Sequence, residues 1–289
     1  MKPMLAATVT NREALQFPYL ASPKLDGIRC LVLDGKVLSR NLKPVRNKYI
    51  QECLRGLPDL DGELIVGSPT ASDAFNQTTR GVMSGGGTPD FKFHVFDTLE
   101  KPDSPFFARL KRIPEHLLIV PVPHVTILTP VGLLEYESEV LRAGYEGVML
   151  RHALSTYKFG RATPNENTMW KLKQFTDGEV RITSVIEGVI NNNEATMDAL
   201  GRTVRSKHQE NMVPNGRVGT IIGTDLATGA HMELSPGKMN HAERMYYFRN
   251  PYQIIGRVAK YKAFPYGMVN TARFATFQGF RDASDMLEK

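Results

Sequence analysis

Past Thr176-Asp177-Gly178 the chain becomes a series of short strand-like stretches, and no other feature restricts its fold as strongly. Val180–Val189, Arg217–Gly223, His231–Leu234, Ile254–Tyr261 and Phe274–Phe280 read as strands, with one helix from Ala242 to Phe248 stopped by Asn250-Pro251. Five short strands and a single helix in about 110 residues suit a small OB-type barrel. A chain of 289 residues is long for one core, so the N-terminal part is expected to fold as a domain of its own. The boundary is expected between 176 and 177, giving domains 1–176 and 177–289. A polar insertion over about 191–216 separates the first two strands of the second domain and carries Arg202, Arg205 and Lys207 without an acid between Gly201 and His208. Loops of that length inside a compact domain are functional or disordered.

The first domain mixes both element types. Ile28–Asp34 turns through Asp34-Gly35 into Val37–Ser39, a hairpin pattern. Helices are expected at Lys48 to Leu54 and at Val131 to Arg142, the latter ended by Gly144. Leu60–Val66 and Tyr145–Leu150 read as acidic turns leading into strands, and Phe91–Asp97 alternates as a strand does. Gly85-Gly86-Gly87 lacks the Gly-Lys-Ser/Thr of a Walker loop. In Met169–Phe175 the alternation sets Lys171 and Lys173 on one face, opposite Trp170 and Leu172. Two such lysines repel unless an anion lies between them, or they belong to a solvated face. Ser22–Cys30 puts Lys24 two residues before Asp26-Gly27 and five before Arg29. This is either a surface hairpin corner or a nucleophile waiting to lose its proton. Arg40, Lys43, Arg46 and Lys48 follow with no acid among them, a solvated loop or a row for phosphates.

The formal charge of +6 and pI near 9.2 favour a polyanionic partner. Cations outnumber acids 22 to 18 in 1–176 and 14 to 12 in 177–289, so such a partner lies across both parts. Two cysteines, Cys30 and Cys53, give neither a disulfide framework nor a four-cysteine zinc site. They read as buried apolar residues in a reducing compartment. No run reaches the ~18 apolar residues of a membrane span, and Met1–Leu15 lacks the apolar core of a secretory signal. A soluble, intracellular, monomeric protein with no membrane and no evident protein partner is expected. The seven histidines show no metal-ligand spacing.

Six stretches in order, KLDGIR, SRN, DGEL, FHVFD, EGVML and WKLKQF, precede the OB-like part. Together they resemble the minimal ATP-dependent DNA ligases of the covalent nucleotidyltransferase superfamily, from Met4 to Arg281. The resemblance implies an α+β nucleotidyltransferase (adenylation) domain of antiparallel sheets and helices, followed by a C-terminal OB-fold β-barrel. It implies ATP as cofactor with magnesium, manganese being acceptable, and nicked duplex DNA as partner. In such enzymes a lysine, here Lys24, attacks the α-phosphorus of ATP, passes AMP to the 5′-phosphate of a nick, and the 3′-OH then displaces AMP. Lys171 and Lys173 would bind the α-phosphate, Phe96 would stack on adenine and Glu63 would accept a ribose hydroxyl. Glu146 and Asp26 would hold the metal. Arg29 and Arg161 would contact the ribose or nick end, Arg40 would grip the 5′-phosphate, and Lys43 and Arg46 would line the DNA. Arg273 or Arg281 would orient the pyrophosphate, and 191–216 would be a latch around DNA, using Arg202, Arg205 and Lys207.

A free lysine has a pKa of about 10.4, so a nucleophilic Lys24 needs roughly 4 kcal/mol of bias against its ammonium form. Nearby cations act in that direction. An RNA ligase or a GTP-using capping guanylyltransferase would share these residues, and a catalytically inactive OB-type nucleic-acid-binding protein remains a reading of another class. An NAD-dependent ligase is disfavoured by the absence of a nicotinamide-binding module and of zinc cysteines.

Overall fold

A computed structural model describes residues 2–173, 175–264 and 273–281. The chain divides into two compact units, Met1–Lys173 with Ala199–Gly201, and Gln174–Asp198 with Arg202–Lys289.

The first unit contains β1 (Ala7–Thr8), β2 (Tyr19–Lys24), β3 (Ile28–Leu33), β4 (Lys36–Ser39), α1 (Lys48–Leu54), β5 (Leu60–Val66), α2 (Ala74–Met83), β6 (Phe91–Thr98), α3 (Phe106–Leu110), β7 (Ile119–Pro121), β8 (Val125–Ile127), α4 (Pro130–Arg142), β9 (Gly147–Arg151) and β10 (Met169–Lys173). They build two five-stranded sheets, ordered β1-β10-β9-β2-β8 and β4-β3-β5-β6-β7. Apolar residues of the first sheet, Tyr19, Val148, Leu150 and Trp170, pack with Leu133 and Val140 of α4. The second sheet buries Cys30, Val32, Leu64 and Phe93 with Ile50 and Leu54 of α1 and Val82 of α2. Helix α4 starts where Thr129 Oγ1 accepts the Gly132 N–H at 3.1 Å, satisfying one orphan donor of the first turn.

The Asp26-Gly27 step is not a hairpin corner. It carries the chain from β2 of one sheet to β3 of the other, and a Cβ on Gly27 would lie 2.3 Å from the Leu64 carbonyl oxygen. Asp61-Gly62 likewise sits inside β5 rather than in a turn before it; a Cβ at Gly62 would meet the His94 carbonyl at 2.5 Å. Only glycine permits either approach.

Beneath the second sheet lies a buried charge cluster. Asp97 Oδ1 accepts from Arg109 Nε at 2.7 Å and its Oδ2 from Arg151 Nη2 at 2.9 Å, and all three residues are buried. The surplus positive charge is spread over the Ser155 and Ser104 carbonyls, which take Arg109 Nη1. The ring of Phe106 adds to this, with the Arg151 guanidinium 4.4 Å from its centroid.

The second unit contains β11 (Thr176–Asn191), β12 (Ala195–Met197), β13 (Thr203–Arg205), β14 (Met212–Asp225), β15 (His231–Leu234), α5 (His241–Arg249), β16 (Val258–Phe264) and β17 (Arg273–Phe280). Five strands form one antiparallel sheet, β15-β14-β11-β16-β17, around Val180, Ile182, Val218, Ile221, Leu234 and Phe277. Its two edges meet at Ser235, whose N–H donates to the Ala275 carbonyl at 2.9 Å while its own carbonyl accepts from Phe277 N at 3.0 Å. Among the described residues that single bridge, Ser235 with Thr276, stands where a closed barrel would have a full ladder. Ile254 does not begin a strand; it ends a short 3-10 turn, and β16 starts four residues later at Val258. The expected insertion loop is largely built of paired strands. Strands β11 and β14 stay paired as far as Asn191 opposite Met212, and β12 and β13 pair beyond them.

Replacing Asp97 by Asn leaves two buried guanidinium groups without a counter-charge. Urea unfolding of Asp97→Asn is expected to show a loss of about 3–5 kcal/mol; a loss below about 1 kcal/mol would mean that the carbonyls and the ring carry the cluster without the carboxylate.

Candidate active site

Lys24 is the last residue of β2, and its cross-strand partner on β9 is Gly147. Lys173 of β10 is the partner of the same Gly147 from the other side. The two lysines therefore flank a residue without a side chain, one strand away on each hand. A Cβ on Gly147 would come within 2.2 Å of the Leu172 carbonyl oxygen, so the close pairing of β9 with β10 requires glycine here. Glu146 is the preceding residue. Its Oε2 pairs with Lys24 Nζ and its Oε1 with Lys173 Nζ, while its N–H donates to the Lys24 carbonyl at 3.3 Å. Burial alone would raise the Glu146 carboxyl, but the two ammonium groups outweigh it and hold it below the usual carboxylate range.

These residues stand at the head of a cleft of about 260 Å³ in the first unit. Lys171 lines it with Lys24, Lys173, Arg40 and Arg161. Burial, together with this crowd of like charges, pulls the Lys171 amine below its ordinary value. The same forces lower Lys173, opposed by Glu146 and Asp26. Arg161 donates from Nη1 to the Ala6 carbonyl at 3.0 Å.

Farther along the wall, Arg29 of β3 lies opposite Glu63 of β5 and holds Asp61 by two bonds, Nε to Oδ1 at 2.5 Å and Nη2 to Oδ2 at 2.6 Å. The Tyr157 hydroxyl donates to the same Asp61 Oδ2 at 2.5 Å. So fixed, the Arg29 guanidinium lies 4.6 Å from the centroid of the Phe96 ring. Burial pushes the Glu63 carboxyl up to about 7 against the pull of Lys24 and Arg29.

The cleft thus gathers Lys24, Arg29, Arg40, Glu63, Phe96, Arg161, Lys171 and Lys173 from six separate stretches. Asp26 lies just beyond Leu25 and is near enough to act on both Lys173 and Glu63. Lys43 and Arg46 are exposed on the segment after β4 and do not line the cleft. In the second unit Arg202 is held by Asp198, Nη2 to Oδ2 at 2.8 Å, Arg205 donates to the Asn193 carbonyl, and Lys207 is exposed. Arg281 donates from Nη1 to both Glu179 carboxylate oxygens, at 2.6 and 2.7 Å. Arg273 opens β17; its side chain lies outside the described residues. Sequence reasoning assigned no role to Asp61, Tyr157, Arg151 or His124. Asp61 was the one with a signal, an acid next to glycine inside an apolar run.

No family model matches the chain. The crystal structure of Chlorella virus DNA ligase-adenylate is 32% identical, covering 97% of this chain and 99% of that one with a TM-score of 0.54. The chain belongs to the ATP-dependent DNA ligase family. A Lig E DNA ligase, 23% identical over 97% of this chain and 99% of its own, shares the fold at a TM-score of 0.72. The ligase fold is a nucleotidyltransferase domain followed by an OB-fold domain, here the first and second units. A probable DNA ligase of Kineococcus radiotolerans is 31% identical over 182 residues, which are 55% of this chain and 36% of that relative, so the match spans about a third of the bacterial protein.

In this ligase family member the raised Glu63 carboxyl has a measurable consequence. Between its ordinary 4.5 and about 7 the native state holds a proton that the unfolded chain has released, so stability present at low pH is lost as pH rises through that window. Relative to Glu63→Gln, the unaltered protein is expected to lose at most about 1.4 kcal/mol per pH unit there. Urea unfolding of both proteins at about pH 5 and about pH 7.5 measures the difference; parallel curves would remove Glu63 as its source.

Proposed function

We propose that the chain seals nicks in duplex DNA bearing a 3′-OH and a 5′-phosphate, using ATP through an AMP carried on Lys24. The observation that carries this reading is the single carboxylate shared by Lys24 and Lys173 at the head of a cationic cleft. A deprotonated Lys24 amine attacks the α-phosphorus, a P–N bond forms and pyrophosphate leaves. Lys171 and Lys173 hold the α-phosphate oxygens and stabilise the charge that builds on them. Phe96, backed by Arg29, offers a flat face to adenine, and Glu63 reaches the ribose. A nick 5′-phosphate, gripped by the planar fork of Arg40, then takes AMP from Lys24. The 3′-OH finally attacks that phosphate and releases AMP.

Asp26 and Glu146 are hard oxygen donors beside these lysines. The pair fits magnesium, or manganese, which accepts one or two carboxylates and otherwise keeps water and phosphate oxygens. Bound there, the ion would neutralise triphosphate oxygens that otherwise favour the ammonium form of Lys24. Arg273 and Arg281 are the candidates for orienting pyrophosphate, and Arg281 would first have to leave Glu179.

The 191–216 segment serves as a latch around the duplex. Its support is the paired β11 and β14 ladder running out to Asn191 and Met212, with exposed cations such as Lys207 beyond it. Arg202 and Arg205 keep partners within the segment and add to the same positive field.

Incubation with ATP should add AMP to Lys24, seen by mass, and Lys24→Ala should abolish both the adduct and sealing with ATP. The variant should still join a nick that already carries a 5′-adenylate, because that step needs no lysine nucleophile. Charging by GTP alone, or sealing confined to RNA, would overturn the substrate assignment. Deletion of 195–212 should weaken nick binding and sealing while leaving the Lys24 adduct near normal. Equal loss of both would remove the latch role.

A further inference from the structure

Part of the cleft is apolar, and the cleft holds a histidine that the chemistry above does not use. Phe96 packs there against Leu25, Ile65 and Val122, and His124 lines the same cavity. The imidazole is fixed on two sides. Its ring stands edge-on to Phe106 with centroids 5.3 Å apart, and Nδ1 lies 2.8 Å from the Val122 carbonyl oxygen. A carbonyl only accepts, so Nδ1 carries the hydrogen and donates it. That leaves Nε2 as a bare acceptor, and among the described residues it has no hydrogen-bond partner. Burial holds the ring's pKa at about 4, with Arg151 acting in the same direction and the Val122 bond and Asp97 opposing. The imidazole is therefore neutral wherever the enzyme would work.

The Arg151 guanidinium, which lines the same cleft, is committed elsewhere. Arg151 gives Nη2 to Asp97 at 2.9 Å, Nε to the Ser155 hydroxyl at 3.3 Å and Nη1 to the Met169 sulfur at 3.7 Å. The Leu25 carbonyl takes the Lys24 ammonium at 3.3 Å. A base stacked on Phe96 can thus meet an acceptor at His124 Nε2. The 6-amino group of adenine satisfies that acceptor, whereas the 6-oxo group of guanine or hypoxanthine sets oxygen against a nitrogen lone pair.

We propose that His124 Nε2 accepts a hydrogen bond from the 6-amino group of adenine and thereby sets the preference for ATP over GTP. The inference rests on the reading of the cleft as the ATP site. The two can be tested apart by Lys24 labelling of the full chain with ATP, purine riboside triphosphate (which lacks the 6-amino group) and inosine triphosphate (which carries a 6-oxo group). The unaltered protein is expected to favour ATP over purine riboside triphosphate in kcat/KM by roughly ten- to a hundredfold. His124→Phe keeps the ring packed on Phe106 and removes both nitrogens. It and His124→Ala should shrink that ratio to within about threefold while purine riboside triphosphate is used nearly as before. His124→Gln, which retains an acceptor, should recover part of the preference. An unaltered protein that uses both nucleotides alike, or His124 variants that keep its ratio, would overturn the proposal. Absence of any labelling by ATP would instead overturn the ATP site itself.

Discussion

A single carboxylate bound to two lysines organises the first unit's chemistry. Glu146 can serve both Lys24 and Lys173 because β9, which it precedes, runs between the strands that carry them. Three ionisable groups are brought out of bulk water together, and each makes the others tolerable. Two ammonium groups so close are unfavourable alone, and a carboxylate so buried is unfavourable alone. The arrangement is also the one a phosphate anion can enter, since phosphate oxygens can replace carboxylate oxygens at the same donors.

Behind this row, two other buried acids do comparable work. Asp61 holds Arg29 against Phe96 and is itself braced by Tyr157. Asp97 follows Phe96 in the chain and ties β6 to α3 through Arg109 and to β9 through Arg151. The strand that presents the aromatic face is thereby locked to the strand that follows Glu146. Packing of Leu25, Ile65 and Val122 around Phe96 completes the wall. Lys24, Arg29, Glu63, Phe96, Lys171 and Lys173 are positioned by strands, whereas Asp26, Arg40 and Glu146 lie on the segments that join them.

What could be read from the chain follows a physical division. Period-two alternation put Lys171 and Lys173 on one face, and both point into the cleft while Trp170 and Leu172 are buried on the other. Helices α1 and α4 lie within a residue of their expected limits because apolar spacing and a capping residue mark them. Helix α2 escaped notice, since AFNQTTRGVM is polar, contains a glycine and depends on the burial of Thr78 and Val82. Among the Asp-Gly pairs, Asp34-Gly35 forms the expected hairpin turn, while Asp61-Gly62 was misleading for a clear reason. Such pairs usually mark exposed turns, but in β5 the glycine admits a neighbouring backbone and the acid is claimed by an arginine from the next strand. The roles of Tyr157 and His124 were illegible, because each depends on a contact made only after distant segments have met. Motif order, by contrast, carried the family resemblance, and the comparison with known ligases supports it.

The shared carboxylate has one more effect. Two of the cations that line the cleft, Lys24 and Lys173, are already paired from within by one carboxylate. A small stray anion such as chloride would have to displace a covalently tethered competitor whose local concentration is very high. On the proposed reading, a nucleotide brings several negative oxygens and an aromatic base for Phe96, and so has more contacts to exchange for it. Charging of Lys24 therefore requires, on that reading, that Glu146 first release the amine it holds.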